Sequence, residues 1–290
     1  MPIYTKNTPR QDGQPFPSIL AIGDSWFWYP ANNILEALIR HPRLGDPYRA
    51  VQLFGYNGAH VADYVGKGQY ADDFRAQLGQ VNLQYYSAFL ISGGGNDAVS
   101  FPDADKGPYH FGLKDDCSEI TDPVACFDAD RLDQLLGIVS GSIGTLIHDI
   151  LWAVQRDFRS GKRTNDVNIF LHGYDYAVPD GRGANLGPLE LAGPWLAKWM
   201  DPAKVDATLS FRKLVCDHLI KSLRDTLAAY DGAGDGRVHF VDSPGTLIAT
   251  FAQNRYQADW ANELHPSPSG FNKIVDRKWI PALKACNYAT

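Results

Sequence analysis

Five short apolar runs, most of them separated by stretches patterned as helices, constrain this chain more than any other feature of its 290 residues. They are about 19–23, Val51-Gln52-Leu53-Phe54, Tyr86 to Ser92, Val167 to Leu171 and Val238 to Val241. Each has the length of a strand buried on both faces and is too short for a buried helix. Asn32 or Asn33 can cap a helix reaching Arg40, with Ile34, Leu35, Leu38 and Ile39 on its buried side. Asp130 reads as the cap of a long helix in which Leu132, Leu135, Val139, Ile143, Leu146, Ile150 and Val154 recur at three- and four-residue steps. A further helix runs to about Tyr230, turning Leu209, Val215, Leu219, Leu223 and Leu227 inward and stopping near Gly232. Ser267-Pro268, a capping serine before a first-turn proline, opens the last helix. The alternation predicts βαβ units in an α/β fold: a three-layer α/β/α sandwich around a five-stranded, mainly parallel sheet.

Residues 1–17 read as an irregular lead-in. Segments 100–129 and 178–203 carry Pro and Gly without periodicity and read as insertions. No repeat or linker divides the chain, so residues 1–290 read as a single domain with two insertions. Apolar content of 44% suffices for a core, while a net charge of −6 and the lack of any Lys/Arg run argue against nucleic acid or an anionic membrane as partner. No 18-residue apolar stretch suggests a transmembrane segment. The polar start lacks a signal-peptide apolar region, which favours the cytoplasm unless a leader has been removed. Of the four cysteines, Cys216 and Cys286 read as reduced fillers, and the set lacks metal-site spacing. Cys117 and Cys126 bracket a polar segment and leave open a local disulfide, which would favour an oxidising compartment.

In an open parallel sheet, ligands bind beyond the carboxyl ends of the strands. Ser25 follows the first run in Gly23-Asp24-Ser25, Gly58 the second, and Asn96 the third in Gly94-Gly95-Asn96-Asp97. His265 lies in the segment after the fifth. Gly-Asp-Ser alone is also an ordinary turn. Together, however, a hydroxyl, an N–H bare of a side chain, an amide and an imidazole are the groups that acyl transfer needs.

In these blocks, with His265-Pro266 followed by Ser269-Gly270-Phe271, the sequence resembles the SGNH subgroup of the GDSL hydrolases. Trp26 replaces the usual leucine of the first block, and the motifs span residues 23 to 271. The resemblance implies a flavodoxin-like SGNH hydrolase fold and an esterase or lipase that cleaves small-molecule carboxylic esters through an acyl-serine intermediate, without metal or cofactor. It implies Ser25 as nucleophile, His265 as general base, and Ser25 N–H, Gly58 N–H and the Asn96 amide as oxyanion donors. The family pattern D-x-x-H has Asn262 here in place of the carboxylate. Either Asn262 orients His265, or a main-chain carbonyl does, or Asp259 or Glu263 substitutes.

Trp26 and Trp28 flank the nucleophile, and with Tyr174 and Trp260 they are the candidate substrate-binding rings, flat walls suited to acyl chains, aromatic esters or sugar faces. Trp195 and Trp199 are further candidates, whereas Trp152 and Trp279 read as core. His172 reads as a satisfied strand-end histidine or a pocket residue, with His60 similarly ambiguous, and Asp24 and Asp97 as loop pins. No H-E-x-x-H or phosphate-loop pattern occurs. Two other functions fit less directly: a carbohydrate O-deacetylase, and a non-catalytic binding module on a hydrolase scaffold.

Overall fold

The apolar runs lie side by side in the computed structural model, which describes residues 2–29, 32–79, 81–100, 102–103, 107–108, 112–162, 166–186 and 189–290. Among the described residues the main sheet has six parallel strands: β1 (Ile3–Tyr4), β2 (Ile19–Gly23), β3 (Val51–Gly55), β4 (Ala88–Ser92), β5 (Asn168–His172) and β6 (Val238–Val241). Their spatial order is β1-β3-β2-β4-β5-β6. The strand added to the expected five is β1, where Ile3 and Tyr4 pair with Val51 and Gln52 in the segment read as an irregular lead-in. Two residues are too few to show a period of two.

The helices are α1 (Ser25–Trp28), α2 (Ile34–Arg40), α3 (Ala71–Gly79), α4 (Gly95–Ser100), α5 (Ala129–Arg159), α6 (Ala197–Met200) and α7 (Leu209–Ala228). A C-terminal helix starts at Pro268–Ile274, widens to π geometry over Val275–Trp279 and ends in Ile280–Ala285. Parallel crossovers are right-handed. The step from β2 to β3 runs one way across the sheet and every later step the other way, so α2 lies on one face and α3, α5 and α7 on the opposite one. The packing agrees: α3 and α7 both contact α5, while α2 contacts the C-terminal helix. The reversal falls between β2 and β4, which makes the crevice at their carboxyl ends the ligand-binding position of such a sheet.

Strand β2 is covered on both faces, with Ile19, Leu20, Ala21 and Ile22 all at 0% exposure. Asn33 caps α2 through an Oδ1 bond from Glu36 N–H at 2.9 Å, and Ser267 caps the C-terminal helix through Gly270 N–H. The long helix begins earlier than expected: its cap is Asp128, which accepts from Arg131 N–H at 3.1 Å. Contrary to the expectation from the sequence, α5 holds an 18-residue window of mean hydropathy 1.5, long and apolar enough to cross a membrane by length and composition. Here its stripe, from Leu135 through Val139, Ile143, Leu146 and Ile150 to Val154, is buried inside the protein. Trp152 is 59% exposed and not core, because it sits two residues from Ile150 on the far side of the helix, whereas Trp279 is fully buried.

All four cysteines are free thiols, so the disulfide left open between Cys117 and Cys126 is not formed, and the Cys117 thiol faces Cys126 O at 3.6 Å. Residues 101, 104–106 and 109–111 of the first proposed insertion and 187–188 of the second lie outside the described residues. The second insertion contains an antiparallel hairpin, Ala184–Leu186 with Leu189–Ala192.

Beside the switch crevice β2 and β3 end on facing glycines, Gly23 and Gly55. A Cβ on Gly55 would stand 2.3 Å from Gly23 O, a backbone atom that cannot move aside. Gly55→Ala is therefore expected to destabilise the fold by about 1–3 kcal/mol, as overpacking does, which thermal denaturation followed by circular dichroism would measure.

Candidate active site

Ser25 is the first residue of α1, where a backbone N–H has no acceptor within the helix. The preceding Asp24 is the cap: its Oδ1 accepts from Trp26 N–H and from Ser92 Oγ, both at 3.0 Å, and its Oδ2 accepts from the Tyr174 hydroxyl. Burial raises the Asp24 carboxyl above its ordinary value, and those three donors oppose the rise. Tyr64 OH donates to Gly23 O at 2.8 Å, so the turn carrying Ser25 is held from both sides.

His265 reaches Ser25 from the loop before the C-terminal helix. Its Nε2 is 2.7 Å from Ser25 Oγ, and its Nδ1 is 3.1 Å from Asn262 Oδ1. The same Asn262 oxygen accepts from Leu264 N–H at 2.9 Å and His265 N–H at 2.8 Å. Those two backbone donors decide which way the amide faces, because an NH₂ turned toward them would meet N–H with N–H. With oxygen facing the ring, Nδ1 must carry the proton, and Nε2 presents its lone pair to the serine. Tyr29 stacks on the imidazole at 4.3 Å between centroids and Trp195 meets it edge-on at 5.5 Å. Burial pushes the His265 pKa down to about 3, which keeps the ring neutral.

The nearby carboxylates are engaged elsewhere. Asp259 accepts from Lys273 Nζ at 2.5 Å and from Ile248 N–H at 2.9 Å. Glu263 accepts from four backbone N–H groups, those of Gly181, Trp195, Leu196 and Ala197, at 2.7–3.1 Å. It thereby ties the second insertion, with Trp195, to the histidine loop.

Gly58 occupies an exposed turn after β3 with φ +77°, a conformation that a side chain would strain. Asn96, at the start of α4, donates from Nδ2 to Ala59 O at 3.0 Å, joining that turn to the end of β4. Asp97 accepts from Val61 N–H at 2.9 Å, and burial raises its pKa to about 6.

Ser25 and Asn96 line one cavity, together with Trp26, Tyr174 and apolar side chains of α4, α7 and Leu264. Trp26 is buried there, edge-on to Tyr174 and Trp260. Trp28 packs partly buried against the core and Trp260 is fully buried, and neither is among the cavity's walls. His172 lies among Trp26, Phe27, Tyr174 and Trp279, and neither ring nitrogen has a partner among the described residues, so it is packed rather than hydrogen-bonded. Among the described residues no group of three His, Cys, Asp or Glu side chains is placed to hold a metal ion. The α7 contribution had no separate signal, because Cys216, Leu219 and Leu223 fall on the same helical stripe that builds the core.

No protein-family model and no curated protein matches the chain. Among solved structures it is similar to the acetylxylan esterase Axe2 of Geobacillus stearothermophilus, at 13% identity and a TM-score of 0.45 over 93% of this chain and 96% of that one. It is also similar to a phospholipase A1 from Streptomyces albidoflavus (14%, TM-score 0.41, 92% and 98% covered). An extracellular lipase from Streptomyces rimosus gives 15%, a TM-score of 0.43, and 93% and 99% covered.

Nitrogen-15 NMR of the imidazole at neutral pH should find His265 neutral with its proton on Nδ1, and Asn262→Ala should shift the ring toward a mixture of tautomers.

Proposed function

We propose that residues 1–290 act as one catalytic unit, a serine hydrolase that cleaves carboxylic esters through an acyl-Ser25 intermediate. The observation that carries this reading is the linear relay from Asn262 Oδ1 through the His265 ring to Ser25 Oγ, with each hydrogen-bond role set by its neighbour. The block order resembling SGNH hydrolases supports it from the sequence side. Ser25 Oγ attacks the ester carbonyl carbon while Nε2 of His265 takes the hydroxyl proton. The tetrahedral oxyanion is received by N–H of Ser25, N–H of Gly58 and the Asn96 amide. Collapse breaks the bond to the alcohol oxygen, to which His265 returns the proton. Water then repeats the sequence on the acyl-serine and regenerates the hydroxyl.

A neutral amide in place of a carboxylate gives the imidazolium no charge partner. In the serine-protease precedent an Asp-to-Asn change lowers kcat about 10⁴-fold through the wrong tautomer. That part of the loss does not apply here, because two backbone donors already turn the Asn262 oxygen to the ring.

A fluorophosphonate probe should label wild type and not Ser25→Ala, and folded wild-type protein that resists labelling would favour a non-catalytic binding module. Asn262→Ala should retain more ester hydrolysis than Ser25→Ala or His265→Ala. Asn96→Ala should lower kcat by about 10²–10³-fold with little change in KM, the signature of a lost transition-state donor.

Activity requires neutral His265, and a ring held down to about 3 stays neutral well below the ordinary histidine range. The acid limb of kcat/KM should thus lie far under pH 6.5. Asn262→Asp adds a negative charge that stabilises the protonated ring and should move that limb upward, which a pH profile on an uncharged ester would reveal.

A further inference from the structure

We infer that the acyl group is short and aliphatic, two or three carbons, and that α7 sets this limit. The inference rests on the hydrolase reading and deepens it. The cavity at Ser25 is lined also by Asn96 and by Cys216, Leu219 and Leu223 of α7. Its volume is about 40 Å³, on the scale where an apolar cavity of about 150 Å³ holds one benzene. That is room for roughly one or two non-hydrogen atoms beyond the reacting carbon.

The walls offer an acyl chain little polar chemistry. The acids that border the cavity are already occupied: Asp24 by Tyr174, Ser92 and Trp26 N–H, and Asp175 by the N–H groups of Tyr176, Gly245, Thr246 and Leu247. A charged or hydroxylated acyl group would give up water there without finding partners. The α7 wall is also firm. Cys216, Leu219 and Leu223 are 1–3% exposed on a 20-residue helix that packs against α5. A longer chain must displace that packing.

One methylene too many in an apolar pocket is worth roughly 10- to 200-fold in kcat/KM. Wild type should therefore hydrolyse p-nitrophenyl acetate and propionate at least about tenfold better in kcat/KM than the hexanoate, and better still than the octanoate. Leu219→Ala and Leu223→Ala each remove carbons from the α7 wall and should raise the hexanoate-to-acetate ratio by about tenfold or more. Cys216→Ala, a smaller change, should raise it less and serves if a leucine variant fails to fold, as judged by circular dichroism.

A wild-type profile that climbs to octanoate, with Ser25-dependent fluorophosphonate labelling intact, would overturn the short-acyl inference and leave the hydrolase reading standing. Folded α7 variants that leave the chain-length ratio unchanged would do the same. If wild type neither cleaves any of the esters nor takes the probe, both readings fall together.

Discussion

The single oxygen of Asn262 governs the rest of the site. It accepts two main-chain N–H groups and the ring N–H of His265 at once. The first two bonds are local, closing a tight turn within three residues. They hold the oxygen in place whether or not the imidazole is there, so the ring meets an acceptor already oriented. Order in the relay comes from backbone geometry rather than from ionic attraction. A buried carboxylate at this place would attract the imidazolium more strongly but would have to be desolvated.

Buried carboxylates do the complementary work of holding the loops that meet at the sheet edge. Asp24 braces the turn of Ser25, Asp97 the segment after β3, Asp175 the loop after β6, and Glu263 the second insertion. Ionised groups in such places are expensive unless surrounded by donors. Backbone N–H groups supply donors here, and burial still leaves Asp97 and Asp175 raised to about 6. Loops carry the functional groups because strands end at the crevice, and irregular segments of this kind need such ties to keep their place.

Much of this architecture is legible in the residues. Buried parallel strands are continuous apolar runs, so β2 to β6 stand out, and four chemical groups at strand ends indicate one edge. β1 is not legible because its two residues, Ile3 and Tyr4, are too few to form an apolar run. The start of α5 differs from the expectation because Asp128 and Asp130 are equally suited to capping, and only the bond to Arg131 N–H distinguishes them. For the partner of His265, Asp259, Asn262 and Glu263 all stand within six residues, and charge alone would favour the acids. Which of them folds back on the ring is a matter of turn geometry, with Asp259 drawn to Lys273 and Glu263 to the insertion. The cavity walls are hidden for a different reason: an apolar side chain on α7 looks the same in sequence whether it fills a core or bounds a void.

Residues 262–265 gather several of these duties into four consecutive positions. Asn262 orients the imidazole, Glu263 anchors the backbone of Trp195, Leu264 borders the cavity and His265 contacts Ser25. Mechanically, the tetrapeptide is a shared hinge pin for the hydroxyl side, the insertion and the chamber. Its four members are adjacent in the chain and bonded to different neighbours, so a change of backbone direction at one of them bears on all three. The cavity wall on α7 takes part in none of those bonds, so its side chains can change size without loosening the turn at Asn262.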